Sequence, residues 1–310
     1  MYMMASLLLA RAQSSFLRGG GDSDALTSQT IGNVDHPKTA FPEPVDDPYF
    51  KRLVEQGSMR SAEHHRKFLA RKERITSQFE SKVRFQSQPG EFAAIVISYR
   101  FAFLHIWKCG GTTMASLTDG RQFSLTEPWI QKRQWVAFVR DPIDRFLSAW
   151  AECGYRQYEG ELSFGGFEAH STLNWLDDTY DFRVRAFLHE VQDFTFPDVW
   201  MSCHTHAHPQ TNFMIDENGH IDHHITLVGD LREMQYVLDI AGFHNYTETI
   251  KGRDSSANAV KTEYFPARRD LLHNQTLLEL CEFLALDYFL FDFEPPEVCV
   301  GPGGPLARFA

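Results

Sequence analysis

Two short apolar runs near one third of the way along the chain, Phe92-Ala-Ala-Ile-Val-Ile-Ser and Phe101-Ala-Phe-Leu-His-Ile, are rich in β-formers and are parted by Tyr99-Arg100. They predict a pair of strands ending directly at Lys108. Beyond two glycines, Thr112 to Leu117 is free of helix breakers and predicts a helix. The same unit then recurs. Trp135-Val-Ala-Phe-Val reads as a buried strand, and Ile143, Phe146, Leu147 and Trp150 follow at i, i+3, i+4, i+7, one face of a helix. Asp141 is placed as its N-cap and Pro142 as its first residue. Further helices are predicted over Asp181 to Val191, Leu231 to Ala241 and, as one long element, Arg268 to about Phe289, with a strand at Ile225 to Val228. Strands alternating with helices predict an α/β fold with a central, mostly parallel sheet covered by helices on both faces.

The flanks read differently. Residues 11 to 50 mix Gly, Ser, Asp and Pro with few large apolar side chains and read as a linker. From Lys51 to about Val83, sparse apolar positions among charges (Leu53, Met59, Phe68, Leu69, Ile75, Phe79) predict one or two helices lying on a surface. The amino end, MYMMASLLLA, is apolar for ten residues before Arg11. That is too short to cross a bilayer and lacks the basic flank of a secretory signal, so it reads as a candidate targeting remnant through which the chain associates with a membrane.

Composition narrows the function. In 310 residues, 43% are hydrophobic and 23% charged, which permits an ordinary globular enzyme. A formal charge of -11 argues against a surface that grips nucleic acid, though a local basic pocket stays compatible with it. Cys109, Cys153, Cys203, Cys281 and Cys299 show no CxxC spacing, so they spell no zinc ribbon and leave room for one or two bridges. Asn245-Tyr-Thr and Asn274-Gln-Thr are acceptor sequons that matter only in the secretory pathway.

The chemistry concentrates at LHIWKCGGTT, where a strand meets a glycine-bearing turn and a helix. Backbone N–H groups converge at such a corner with the positive helix end behind them, and an anion is attracted there. Gly110 and Gly111 permit close backbone approach, Thr112 and Thr113 offer hydroxyls, and Lys108 supplies a mobile positive charge. In a nucleotide-triphosphatase loop the lysine follows the glycines; here it precedes them, so this is not a Walker loop.

These residues resemble the sulfotransferases that use 3′-phosphoadenylyl sulfate (PAPS), especially the Golgi carbohydrate sulfotransferases. Lys108-Cys-Gly-Gly-Thr-Thr is similar to the family's 5′-phosphosulfate loop, commonly KTGGTS or KTGGTT, with Cys109 in place of threonine. Phe138-Val-Arg-Asp-Pro-Ile-Asp-Arg-Phe-Leu-Ser-Ala-Trp resembles its 3′-phosphate motif, in which an arginine and a serine hold that phosphate, here Arg140 and Ser148. His206-Ala-His-Pro-Gln is similar to the family's HxxPQ, and Leu286-Asp-Tyr-Phe-Leu-Phe-Asp-Phe to its closing DYxLFxY. The resemblance implies a P-loop-like sulfotransferase fold and transfer of a sulfuryl group from PAPS to an acceptor hydroxyl, with adenosine 3′,5′-bisphosphate (PAP) as product and no metal required. It further implies a carbohydrate acceptor and a Golgi lumen or Golgi membrane location. Donor-binding residues are then Lys108, Cys109, Gly110, Gly111, Thr112, Thr113, Arg140 and Ser148, and the domain order is a 1–50 segment and linker, a 51–90 helical lead-in, a 91–300 sulfotransferase domain and a 301–310 tail.

Lys108 is the candidate to stabilise charge on the leaving oxygen. His206 is the candidate general base because it holds the histidine place of HxxPQ, with Glu152 as its alternative, on the polar row of Asp144 and Ser148. His105 alternates into a strand and reads as a buried, hydrogen-bonded histidine. Two other readings stay open. One is a catalytically inactive PAP- or glycan-binding module. The other is a metal-binding protein built on the histidine-rich stretch 204–224, where His204, His206 and His208 would share one face of an extended chain.

Overall fold

Five consecutive buried residues, Trp135 to Val139, make β4 (Gln134–Val139) the middle of a parallel trio. On one side it pairs with β2 (Phe101–Leu104) and on the other with β5 (Ile225–Asp230), in registers that include Leu104 with Ala137 and Val139 with Asp230. All four residues of β2 are buried too. Burial on both faces is why these strands read as unbroken apolar runs. The computed structural model describes residues 47–75, 93–118, 121–158, 179–193, 203–215, 220–244 and 265–307, all within one compact unit. The apolar amino end and the Asn245 sequon lie outside the described residues.

The sheet is mixed rather than mostly parallel. Its strand order is β3-β1-β2-β4-β5, where β1 (Ala93–Val96) runs antiparallel to both β2 and the short edge strand β3 (Gln122–Ser124). The turn between β1 and β2 is the reason. A parallel pairing needs a crossover of a dozen or more residues, and the chain reverses at Ser98–Arg100, where Ser98 Oγ accepts from Phe101 N at 3.2 Å.

Helix α3 (Gly111–Leu117) follows β2, and α4 (Pro142–Tyr158) follows β4. The start of α4 is as predicted: Asp141 Oδ1 accepts from Asp144 N at 3.0 Å, and Ile143, Phe146, Leu147 and Trp150 are fully buried. α5 spans Tyr180–Asp193, and α6 (Met234–Ile240) follows β5 through a tight turn. The lead-in forms α1 (Pro48–Glu55) and α2 (Met59–Arg71). The second of these packs on the fold: Ala62, His64, His65 and Phe68 are buried, and Glu233 accepts from Ser61 N at 2.7 Å and from Ser58 Oγ at 2.8 Å.

The long helix expected over Arg268 to Phe289 is broken. A turn at Arg269–Leu271 gives way to extended Leu272 and His273, α7 runs Asn274–Phe283, and after Leu284 leaves helical geometry α8 runs Ala285–Phe291. Every residue of α8 is buried, which no single amphipathic helix starting at Arg268 provides, and the break aims Asp287 into the polar core. A disulfide joins Cys281 of α7 to Cys299 of α9 (Glu297–Val300), and Cys153 of α4 is disulfide-bonded as well. No helix among the described residues is long and apolar enough to cross a membrane.

Candidate functional site

The loop after β2 turns on two left-handed residues, Lys108 at φ 66° and Gly110 at φ 90°. Left-handed backbone costs a non-glycine residue roughly 1–2 kcal/mol, so Lys108 is held there by its surroundings. The glycines are also needed for a second reason, beyond the close backbone approach the sequence suggested. A Cβ at Gly111 would lie 1.7 Å from His105 Nε2, and one at Gly110 would lie 2.4 Å from Met234 Cε. They admit a histidine ring and a helix side chain, which press the turn into shape. Their own amides find no acceptor among the described residues and remain available to an anion.

Cys109 points the other way. It is fully buried and its thiol donates to Gln210 Oε1 at 3.2 Å. Burial pushes its pKa up to about 12, so it stays a protonated donor. Its side chain serves the loop from beneath.

Gln210 ties this loop to the second motif. Its Oε1 accepts from Arg140 N and its Nε2 donates to Arg140 O, both at 2.8 Å. Gln210 N donates in turn to Asp287 Oδ2 at 2.8 Å, while Thr211 gives Asp287 Oδ1 its N–H at 2.8 Å and its hydroxyl at 2.7 Å. Burial raises the pKa of Asp287, opposed by the charge of Arg145. Arg145 is itself fully buried and donates to the carbonyls of Trp107 at 3.2 Å, His206 at 2.7 Å and Ala207 at 3.2 Å, and also to that of His208. All four sequence motifs therefore meet in one buried polar network. Arg145, Gln210 and Asp287 were not among the expected site residues, although each stands inside a motif whose spacing was visible.

Above the network lies a cleft of about 210 Å³. The backbone of Gly110 to Thr112 and the side chains of His105, Trp107, Lys108, Glu152, Arg156 and His206 line it. Lys108 Nζ is 3.3 Å from Glu152 Oε2, and Arg156 Nε donates to Glu152 Oε1 at 2.8 Å. The rings of His105, Trp107 and His206 form one wall, with centroids 4.9 and 4.4 Å apart in sequence. Burial, and then the charges of Lys108 and Arg156, bring the pKa of His206 down to about 3, so at neutral pH its ring is uncharged. Burial likewise lowers the pKa of His105, whose Nδ1 lies 3.4 Å from Gln122 Oε1. A larger cleft of about 560 Å³ lies between α7 and Gly303–Ala307, and no residue named for the donor site or for catalysis lines it.

The structure thus brings Lys108, Gly110, Gly111, Thr112, Glu152 and His206 together. Thr113, Arg140 and Ser148 do not line that cleft. Arg140 directly follows β4, and Ser148 sits partly exposed on the α4 row that runs from Asp144 to Glu152, one helical turn or about 6 Å before the glutamate. At the head of that row Arg269 bridges Asp141 and Asp144, the latter at 3.1 Å.

The histidine face expected for metal does not form. Cys203–Ala207 is a short 3-10 helix, so the three rings diverge: His204 bonds Glu190 Oε2 at 3.2 Å, His206 meets Trp107, and His208 lies toward Phe283. The only ligand-atom cluster among the described residues is Asp222, His223 and His224, within 4.8 Å of one another on the surface.

The sequence model of the Sulfotransferase family matches residues 121–294, more than half of the chain. The match takes in Arg140, Ser148, Glu152, His206, Gln210 and Asp287 and begins after the Lys108 loop. No curated protein and no solved structure matches the chain.

Proposed function

Because the chain belongs to the Sulfotransferase family, we propose that it moves a sulfuryl group from PAPS to a hydroxyl of a carbohydrate acceptor in the Golgi lumen, on a P-loop-like corner built by residues 104–117. One observation carries the reading. The Lys108 and Arg140 corners leave the carboxyl ends of adjacent parallel strands, β2 and β4, and a single side chain, Gln210, bonds to both. Two anion-seeking corners side by side suit a nucleotide charged at both ends.

The donor brings an activated sulfuryl group; the new bond forms between the acceptor oxygen and sulfur, the bridging oxygen–sulfur bond breaks, and PAP leaves. The chain's work is alignment and charge stabilisation. The amides of Gly110 and Gly111 and the first turn of α3 face the phosphosulfate end. Arg140 and Ser148 hold the 3′-phosphate, the guanidinium by a two-pronged grip. Lys108 exchanges Glu152 for the bridging oxygen as charge builds there, a movement its flexible stem allows. His206, uncharged in the cleft, has a lone pair with which to take the acceptor proton. Glu152 already serves Lys108 and Arg156, which makes it the weaker candidate for that task. Structural disulfides support the lumenal setting, since they persist in oxidising compartments.

Calorimetric titration with PAP, followed by labelled-sulfate transfer over a panel of glycans, tests the proposal. Tight PAP binding with transfer to a sugar hydroxyl is expected. Binding without transfer identifies an inactive module, and absence of both rejects the reading.

A further inference from the structure

Asn274 is the exposed first residue of α7. It does no capping: the N-cap is His273, whose backbone N–H donates to Asp181 Oδ1 at 2.7 Å. Two residues on, Thr276 is fully buried and its Oγ1 makes no hydrogen bond among the described residues. It forgoes even the bond to the carbonyl four residues earlier that helical threonines can make. A buried hydroxyl without a partner costs roughly 1–3 kcal/mol, and valine would fill the same space without that cost. Among the described residues nothing in the fold takes this hydroxyl, which leaves it a use before folding.

We infer that Asn274 is an N-glycosylation site. The hydroxyl of Thr276 is needed while the chain is still extended, when Asn274-Gln275-Thr276 is presented to an oligosaccharyltransferase. The co-substrate is a polyprenyl-diphosphate-linked oligosaccharide. Asn274 Nδ2 bonds to the anomeric carbon of its first N-acetylhexosamine, that carbon's bond to the diphosphate oxygen breaks, the amide proton passes to a base and the polyprenyl diphosphate leaves. Two further observations point the same way. The disulfide from Cys281, on the same helix, fits an oxidising compartment such as the one in which this modification occurs. Asn274 itself is exposed, so an attached glycan meets solvent.

The inference is independent of sulfuryl transfer, because an active unglycosylated chain and a glycosylated inactive one are distinguishable outcomes. The test expresses the full chain in a eukaryotic cell and compares intact mass and peptide maps before and after peptide N-glycosidase. The expected result is release of a glycan with conversion of Asn274 to aspartate. Asn274→Gln and Thr276→Val lose that glycan, Thr276→Ser keeps it, and deglycosylated Thr276→Val melts no lower than deglycosylated wild type. Recovery of Asn274 as unmodified asparagine overturns the proposal. So does a Thr276→Val variant that keeps the glycan, or one that melts well below wild type.

Discussion

The carboxamide of Gln210 lies against the peptide of Arg140 as a complementary pair, accepting from its N–H and donating to its carbonyl, each at 2.8 Å. The same oxygen takes the Cys109 thiol, so one side chain sets the separation of the two corners. Gln210→Leu leaves three buried groups without partners, each worth roughly 1–3 kcal/mol. The expected outcome is a melting temperature lower by at least roughly 6 °C, at about 2–4 °C per kcal/mol, and PAP affinity reduced more than about tenfold. Gln210→Glu keeps the acceptor but loses the donor to Arg140 and turns a carboxylate toward Asp287 Oδ2, now 3.4 Å from Nε2. It is expected to fare no better. Thermal melts and calorimetry check both, and a leucine variant that binds PAP as wild type does would refute the role given to Gln210.

In the proposed reaction Lys108 and His206 divide the chemistry, and kinetics can separate them. Lys108→Ala is expected to lower kcat by roughly 10²–10³, the cost of one lost charge-stabilising donor, while the fold persists because the left-handed turn is held by His105 and Met234 from outside. His206→Ala is expected to lose about 10²–10⁴. The pH profile of kcat/KM is the sharper measurement. Only neutral His206 accepts a proton, and its pKa of about 3 keeps it neutral through mild acid, so no acid limb near 6.5 is expected. A limb at the ordinary histidine value, or full turnover in His206→Ala, transfers the base to another group, with Glu152→Gln the next variant to measure.

What the sequence shows of this fold depends on where the deciding contacts lie. β2, β4 and the start of α4 are legible because local pattern and tertiary burial agree: Trp135 to Val139 is apolar and buried on both faces, and Asp141-Pro142 opens a helix by its own chemistry. β3 is three residues long, one of them the exposed Gln122, and exists only because β1 offers it an edge. The break at Leu284 carries no glycine or proline and follows from where Asp287 must point. The glycines of the loop were legible as necessary, but the side chains that make them so, the His105 ring just after β2 and Met234 at the start of α6, are set against them only by the fold. Arg145 carries no sign in the sequence of what it does, and only the fold shows it spent on backbone carbonyls.

The bond between Cys281 and Cys299 closes a loop of 18 residues that contains α8. A loop of that size is worth about 3 kcal/mol in the unfolded-chain picture. Replacing both cysteines by serine is expected to lower the melting temperature by on the order of 10 °C and, because Asp287 lies inside the loop, to weaken PAP binding as well. Melts of wild type with and without reductant, against the double-serine variant, check this. Reductant-insensitive melting of a wild type confirmed as reduced would remove the bridge from the account.

Acid should destabilise the protein in a window set by its buried histidines. Burial brings His206 and His208 to about 3, whereas in the unfolded chain each takes up a proton near 6.5. Between those values the unfolded state binds more protons, so stability falls as pH falls, by about 1.4 kcal/mol per pH unit for each histidine. Carboxylates held low in the fold, such as Glu279 at about 2 beside Arg185, follow the same direction but only below the ordinary carboxylate range. Asp141 and Asp287, raised by burial, oppose it. His208→Phe separates these contributions, since it keeps a ring against Phe283 and removes one titration. Denaturant unfolding at pH 7, 6 and 5 is expected to show wild type losing stability more steeply than His208→Phe, by roughly one proton's worth per pH unit. Parallel slopes would mean that His208 is not held neutral in the folded chain.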